Sequence, residues 1–293
     1  MTKQCDPLVS MPEPSRGPQS TGRHSRFDQQ ATHFDARAGV PPEAAQATTR
    51  TLRQLAALTG GNVVLDVGAG TGNVGSFVVD AGVRYIGLDV SLPMLQVFAT
   101  KLTTHPALDS TALLIAADAD TDWPIRSGST AIIFFSRSVH LLHLPHVVRE
   151  SLRVAHPDGA FLVIGRVRRS PESIRALLRK EMQSVLSHHG IIGRKKEELH
   201  ETLMTALAAH GCHVQPPGPR TVATWTVEES PAACLEAWRG KEGLAGTPLL
   251  APVQHAVLEE LERWAHARFG DVHQLHPVPE HYELVVVEIN RRA

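Results

Sequence analysis

The sequence is poor in cysteine, in aromatic residues and in net charge, and it has no long apolar run. Cys5, Cys212 and Cys234 are its only cysteines and share no metal-ligand spacing. They read as reduced thiols, which excludes a zinc module or a disulfide scaffold and sets the expected location as cytoplasmic. Lysine plus arginine count 29 against 30 acidic residues, a net charge of −1, so no global basic field draws nucleic acid to the chain. No apolar run reaches the ~20 residues of a membrane span, and no basic–apolar–small segment reads as a signal peptide. Two tyrosines and eight phenylalanines are too few to trace an aromatic pocket by eye. What is present is 42% hydrophobic content, enough to bury the core of one medium-sized domain in a chain of 293 residues.

The most informative stretch is Val63-Val64-Leu65-Asp66-Val67-Gly68-Ala69-Gly70-Thr71-Gly72-Asn73. A β-branched apolar run ends in an acid, turns through three glycines and enters a segment with helical apolar spacing at Val74, Phe77 and Val78. Glycine suits such a loop because it accepts positive φ and lets a ligand lie against bare backbone N–H groups. A dinucleotide-binding loop would have no use for a negative charge at Asp66 and would want its third glycine at Asn73. An acid at Asp66 suits a ligand that carries an ammonium group. A second strand, Arg84-Tyr85-Ile86-Gly87-Leu88, ends in Asp89, a carboxylate placed to accept both hydroxyls of a ribose. A third, Leu113-Leu114-Ile115-Ala116, ends near Asp118-Ala119, placed to meet an adenine edge.

Asp66-x-Gly68-x-Gly70-x-Gly72, Gly87-Leu88-Asp89-x-Ser91-x-x-Met94-Leu95 and Asp118-Ala119 together resemble the cofactor motifs of class I S-adenosylmethionine-dependent methyltransferases. Leu141-Leu142-His143-Leu144-Pro145 and Arg153-Val154-Ala155-His156-Pro157-Asp158-Gly159 resemble stretches of the small-molecule branch that includes the ubiquinone/menaquinone-type enzymes. The resemblance covers Phe34 to Gly165 well and the C-terminal part in outline. It implies S-adenosyl-L-methionine as cofactor, held by Gly68, Ala69, Gly70 and Gly72 against its methionine part, Asp66 at the ammonium and Asp89 at the ribose. Asp118 and Ala119 would read adenine, between the apolar faces of Val90 and Met94. The end of the fourth core strand, Ser136 to His143, would face the transferred methyl. His140 and His143 are the candidate catalytic bases there, since imidazole titrates near neutrality, with a loop-bracing role as the alternative for His143. Arg137 could bind an acidic substrate group or serve a structural ion pair. The logic requires no metal, and the scattered cysteines argue against a metalloid substrate. The Asn/Asp-Pro-Pro-aromatic signature of amino-group methylation on bases or glutamine is missing.

The alternation of strand and helix from Val63 predicts an α/β, Rossmann-like parallel sheet with helices on both faces, and the resemblance implies a mostly parallel seven-stranded sheet whose last strand is antiparallel. Strands are expected near 62–67, 84–88, 111–115, 130–135 and 160–165, with helices near 73–81, 93–104 and 145–155. Residues 1–26 lack periodicity and are expected to be a disordered tail. The methyltransferase domain would then occupy 27–293, with its cofactor-binding core at 60–166. His33-Phe34-Asp35-Ala36-Arg37 resembles an element that lies over cofactor and substrate in this branch, although a frayed lead-in is the plain alternative. Pro41-Pro42-Glu43 opens a helix to about Leu58. After Gly165 comes a helical segment, 170–211, with Ser170-Pro171 as cap and first turn and a locally basic character at Arg175, Arg179, Lys180, Arg194, Lys195 and Lys196. Thr221–Val227 and Tyr282–Ile289 read as the last two strands, and a cap-like helical insertion, 228–279, stands between them. Three departures from the family pattern are Ala131 in place of an acid, Asp158 in place of a glycine, and the bulk of Asp122-Trp123 near the adenine edge.

Methyl transfer to a nucleophilic atom of a small molecule is the expected activity. An RNA or protein target using the basic helix, and a catalytically inactive cofactor-binding scaffold, are the alternatives, with a nicotinamide oxidoreductase behind them. No membrane partner is expected, nucleic acid is disfavoured, and a homodimer is left open.

Overall fold

The computed structural model describes residues 8–10, 27–103, 111–192, 196–241 and 243–289. In chain order its elements are β1 (Leu8–Ser10), α1 (Phe34–Ala38), α2 (Pro42–Ala56), β2 (Val63–Val67), α3 (Gly75–Asp80), β3 (Arg84–Asp89), α4 (Leu92–Thr103), β4 (Ala112–Ala116) and β5 (Ile132–Ser136). There follow α5 (Leu144–Val154), β6 (Ala160–Arg169), α6 (Ile174–His188), α7 (Lys196–Ala208), β7 (His213–Val214), β8 (Arg220–Glu229), α8 (Pro231–Arg239), α9 (Ala251–Phe269) and β9 (His276–Ile289).

The strands form one sheet in the order β1-β4-β3-β2-β5-β6-β9-β7, with β8 also paired to β9. Strands β1 to β6 pair in parallel, and β7 is antiparallel to β9. This is the Rossmann-like sheet the alternating pattern predicts, with two additions. One is β7, two residues long and too short to leave a periodic signal. The other is β1, which pairs with Leu114–Ala116 inside the stretch read as a disordered tail. A three-residue apolar edge strand carries no periodicity of its own and is fixed by the backbone groups β4 offers. The rest of the tail, 1–7 and 11–26, lies outside the described residues.

The central strands are continuous apolar runs because helices cover both their faces. Val64, Leu65 and Val67 of β2 and Ile132, Ile133, Phe134 and Phe135 of β5 are fully buried. Proline occupies the first turn of α2 and of α5, where a missing N–H costs nothing. Register then sets the site: Asp66 lies opposite Gly87 and Phe134, and Asp89 opposite Ala116. The carboxyl ends of β2, β3, β4 and β5 therefore open on the same edge of the sheet.

The described chain divides into two compact units, where the sequence was read as one domain with an insertion. The first comprises 1–166, 199–223 and 282–293, the second 167–198 and 224–281. The segment expected at 170–211 is split between them. Leu203 and Leu207 of α7 join the first core with Val285 and Val287 of β9, whereas α6 builds the second core with α8 and α9. Helix α6 begins later than expected. Ser173 rather than Ser170 caps it, accepting from the Ala176 N–H at 3.3 Å, while Ser170 closes a turn on the Glu172 N–H. Within the second unit, Arg175 of the locally basic segment pairs at 2.9 Å with the buried Glu229, and Arg169 pairs with Glu280.

In the first unit one buried acid organises the loop after β4. Glu150 on α5 accepts the Trp123 N–H at 2.8 Å and bonds from Arg153 at 2.7 to 3.2 Å. Burial raises the Glu150 pKa, but the bonds from Arg153 and Trp123 outweigh it and hold it below the usual value. Its stabilising contribution is thus full above the ordinary glutamate range and is lost as pH falls through the lowered folded value. Trp123 in turn donates its indole N–H to the Ala119 carbonyl at 2.9 Å. The extra bulk at Asp122-Trp123 is therefore a brace for the Asp118–Asp120 turn. Glu150→Ala would leave the Trp123 N–H without its acceptor and Arg153 with only its bonds to Ile125, Trp123 and Ser127, and should cost about 2–3 kcal/mol, read by urea unfolding; a loss below about 1 kcal/mol would show that the network carries no stability.

Candidate functional site

A cavity of about 570 Å³ opens at the carboxyl ends of β2, β3, β4 and β5, and all its lining residues belong to the first unit. Its size falls in the range of roughly 300–1,000 Å³ typical of small-molecule sites. Asp66, Gly68, Ala69, Gly70, Asp89, Val90, Met94, Asp118, Ala119 and Ser136 all line it, as does His140. These come from four strand ends, where open parallel sheets bind ligands.

Asp89 ties the floor together. Its Oδ2 accepts the Gly70 N–H and its Oδ1 the Ser91 N–H, each at 2.8 Å. One carboxylate thus joins the glycine loop to the start of α4. Burial raises its pKa, with the N–H bonds of Ser91, Gly70 and Val90 opposing and the charge of Asp28 adding to the rise. Gly68 and Ala69 both donate to the Leu88 carbonyl, at 2.7 and 3.1 Å. Gly68, Gly70 and Gly72 all have positive φ. A Cβ on Gly70 would meet nothing within 4 Å, so the loop's open face is here.

Asp66 is 1% exposed. Its Oδ2 accepts the Tyr85 hydroxyl at 2.6 Å, and its Oδ1 is buried with no hydrogen-bond partner. Burial pushes its pKa up to about 7, against the Tyr85 bond and with help from the Asp89 charge. A buried acceptor left open on a cavity wall calls for a donor from a ligand. Asp66 and Gly70 together fit the amino-acid part of an S-adenosylmethionine-type group: an acceptor for its ammonium and bare backbone beside it.

The Phe27–Val40 segment lies over this floor rather than fraying from it. Phe27 and Phe34 line the cavity. Asp28 accepts the Ser91 hydroxyl at 2.6 Å, Asp35 accepts Thr71 Oγ1 and Lys101 Nζ, and the Val40 N–H donates to Asn73 at 2.7 Å. The Phe34 ring carries Arg37 at 5.7 Å and Arg137 at 5.9 Å from its centroid. Arg137 sits at φ 60°, a left-handed conformation that costs a non-glycine residue about 1–3 kcal/mol and collects at functional sites. On the same side Ser136 Oγ meets Tyr282 OH at 2.7 Å. Burial raises the Tyr282 hydroxyl to about 12, against the Ser136 bond and the Arg137 charge.

Two expected site residues do not line the cavity. Gly72 is bare because a Cβ there would come within 2.1 Å of the Phe98 ring; it serves packing beneath the loop. His143 stands at the start of α5, its backbone N–H donating to Asp120 at 2.7 Å. Asp120 itself lines the cavity beside Asp118, whose Oδ1 accepts the Asp120 N–H at 2.9 Å. Sequence reasoning missed Phe27 and the Tyr85 hydroxyl. A buried tyrosine inside a predicted strand gives no sign of where its oxygen ends. Asp122, His146 and Glu150 bring ligand-type atoms within 4.8 Å of one another. Arg149 donates to Asp122 and to His146 Nδ1, and Arg153 holds Glu150, so guanidinium groups already fill the place of a cation.

Residues 64–159 match the family model described as a methyltransferase domain. No curated protein matches the chain. Among solved structures, the [4+2]-cyclase SpnF aligns with a TM-score of 0.54 at 19% identity, over 93% of this chain and 97% of that one. Geranyl diphosphate C-methyltransferase from Streptomyces coelicolor A3(2) aligns with a TM-score of 0.49 at 14% identity, over 94% and 99%. SpnF supports the fold. The family match covers about a third of the chain and agrees with the sequence resemblance over residues 64–159.

The glycines separate experimentally. Gly72→Ala drives a Cβ into Phe98 at positive φ and should cost about 2–4 kcal/mol in urea unfolding. Gly70→Ala meets open space and should cost about 1 kcal/mol, for its φ alone. Equal losses would contradict the division between packing and cavity-facing glycines.

Proposed function

We propose that this chain transfers a methyl group from S-adenosylmethionine to a nucleophilic atom of a small molecule. The observation that carries the reading is the meeting of Asp66, Asp89 and Asp118 on one cavity with the open face of Gly70. When bound, the donor supplies a methyl on a sulfonium that already has a good leaving group. The chain's own residues then have three tasks: to bind, to align and to exclude water.

Asp66 accepts from the ammonium through Oδ1, and the backbone of Gly68, Ala69 and Gly70 lies along the methionine part. Asp89 keeps both carboxylate oxygens on loop N–H groups, yet each oxygen has a second lone pair for a ribose hydroxyl. Asp118 with Ala119 reads adenine, between Val90 and Met94. The acceptor takes the other end, where Ser136, Arg137 and His140 meet Phe27 and Phe34. Among the described lining residues Arg137 carries the permanent positive charge there, which suits an acceptor bearing an acidic group. His140 is placed to take a proton if the nucleophile arrives protonated.

A small-molecule acceptor is favoured over RNA or protein because the cavity is formed with Phe27 and Phe34 in its wall, and because Arg175 of the basic segment is engaged by Glu229. The Leu141–Pro145 and Arg153–Gly159 stretches favour the ubiquinone/menaquinone-type branch. The test is label transfer from methyl-labelled S-adenosylmethionine into a fractionated extract. Label in the low-molecular-weight fraction is the expected result, and label confined to RNA or protein would overturn it. Asp89→Ala should weaken calorimetric binding of S-adenosylhomocysteine by about 1.5–3 kcal/mol, the scale of hydrogen bonds to a charged group; an unchanged affinity would sink the ribose assignment.

A further inference from the structure

Tyr85 lies in the middle of the sheet, is 1% exposed, and directs its hydroxyl out of β3 toward Asp66 on β2. Its ring is fitted with care. It stands edge-on to Phe98 with centroids 5.7 Å apart. A Cβ on Gly75 would come within 2.3 Å of the Tyr85 hydroxyl, and one on Gly87 within 3.1 Å of its Cε1. A Cβ on Gly72 would strike Phe98, the partner ring. Gly72 and Gly75 are thus kept bare for this aromatic pair, whereas a Cβ on Gly87 would first meet Leu114 at 2.9 Å.

The fitted ring delivers one polar atom, which meets one oxygen of Asp66 and leaves the other open. A purely structural carboxylate would be expected to satisfy both oxygens, since an unpaired buried acceptor costs about 1–3 kcal/mol. Asp66 instead keeps Oδ1 without a partner while lining the cavity. We propose that Tyr85 is a positioning residue of the donor site, donating to Asp66 Oδ2 so that the carboxylate is held with Oδ1 presented to the ammonium group of the methyl donor. This rests on the reading of the cavity as a donor site. Tyr85 touches no ligand itself and acts through Asp66.

Removing the phenol removes a bond that favours the charged carboxylate, so the ionisation of Asp66 moves up. The other titratable groups that bear on Asp66 are Asp89, on the same strand as Tyr85, and Tyr282 on β9, with Arg137 beside Tyr282. Asp89 raises the Asp66 pKa in wild type and variant alike, and Tyr282 stays protonated throughout the neutral range.

The experiment is calorimetric titration of the full-length chain with S-adenosylhomocysteine, from about pH 5.5 to 7.5, below the ordinary α-amino range of roughly 7.7–8.0. Wild-type affinity should climb as pH rises through about 7, the value to which burial brings Asp66. In Tyr85→Phe, which keeps the ring, the midpoint should rise by about one unit and affinity at neutral pH should fall roughly fivefold or more. In Asp66→Asn the pH dependence across this window should vanish. A Tyr85→Phe profile that matches wild type overturns the proposal, and so does a uniform loss with an unmoved midpoint, because packing alone would give that. If Tyr85→Phe does not fold, Asp66→Asn decides: a retained wild-type profile overturns the proposal, and a flat one supports it. Absence of binding by the wild type at every pH would bring down the donor-site reading itself, and this inference with it.

Discussion

The Asp89 carboxylate holds two loops that would otherwise be independent. Through one oxygen it fixes Gly70 in the turn after β2, and through the other Ser91 at the start of α4. Both bonds run from backbone N–H groups to an ionisable oxygen, and both are part-buried. Because β2 and β3 are neighbours in strict parallel register, with Val67 opposite Leu88, their ends rise to the same height and one side chain can span the gap. The cavity floor, the open face of Gly70 and the seat of the Phe27–Val40 segment follow from that span. Ser91, oriented by Asp89 through its N–H, also donates its hydroxyl to Asp28.

Above the floor, charges are arranged by depth. Asp66 is buried and Asp89 half-buried, and both have raised pKa values, whereas Asp118 and Asp120 sit on the braced turn after β4. Arg137 takes the opposite end with Phe34 against its guanidinium. A donor with positive charge and an acceptor with an acidic group would each find its complement without crossing the other. The Phe27–Val40 segment closes over both through Asp28, Asp35 and Val40, each bonded to a loop that also builds the floor.

The second unit owes its separateness to its own apolar core, built by α6, α8 and α9 around Leu178, Trp238 and Leu261. In sequence, α6 and α7 look alike: both carry an apolar stripe at helical spacing. Only the partners of their apolar faces distinguish them, and those lie far away in the chain. Leu203 and Leu207 of α7 meet Val285 and Val287, while Leu178 and Met182 of α6 meet residues of α8 and α9.

What the sequence determined by itself is whatever local pattern encodes. The β-branched runs, the glycine turn and the acids at strand ends were readable because strand period, positive φ and ligand charge each restrict residue choice at fixed spacing. From them came the parallel sheet, the site edge and the eleven cavity-lining candidates around Asp66, Asp89 and Asp118. What only the tertiary structure decided is which atom each residue spends and on whom. A Cβ on Gly72 would meet Phe98, the His143 N–H goes to Asp120, and Leu8–Ser10 becomes a strand because β4 leaves an edge to pair with. Tyr85 was the least legible of all. Its hydroxyl reaches Asp66 only because parallel register sets β3 beside β2 and because Gly75 is bare where the ring passes. Such contacts join residues whose separation in sequence carries no period, so no local pattern can announce them.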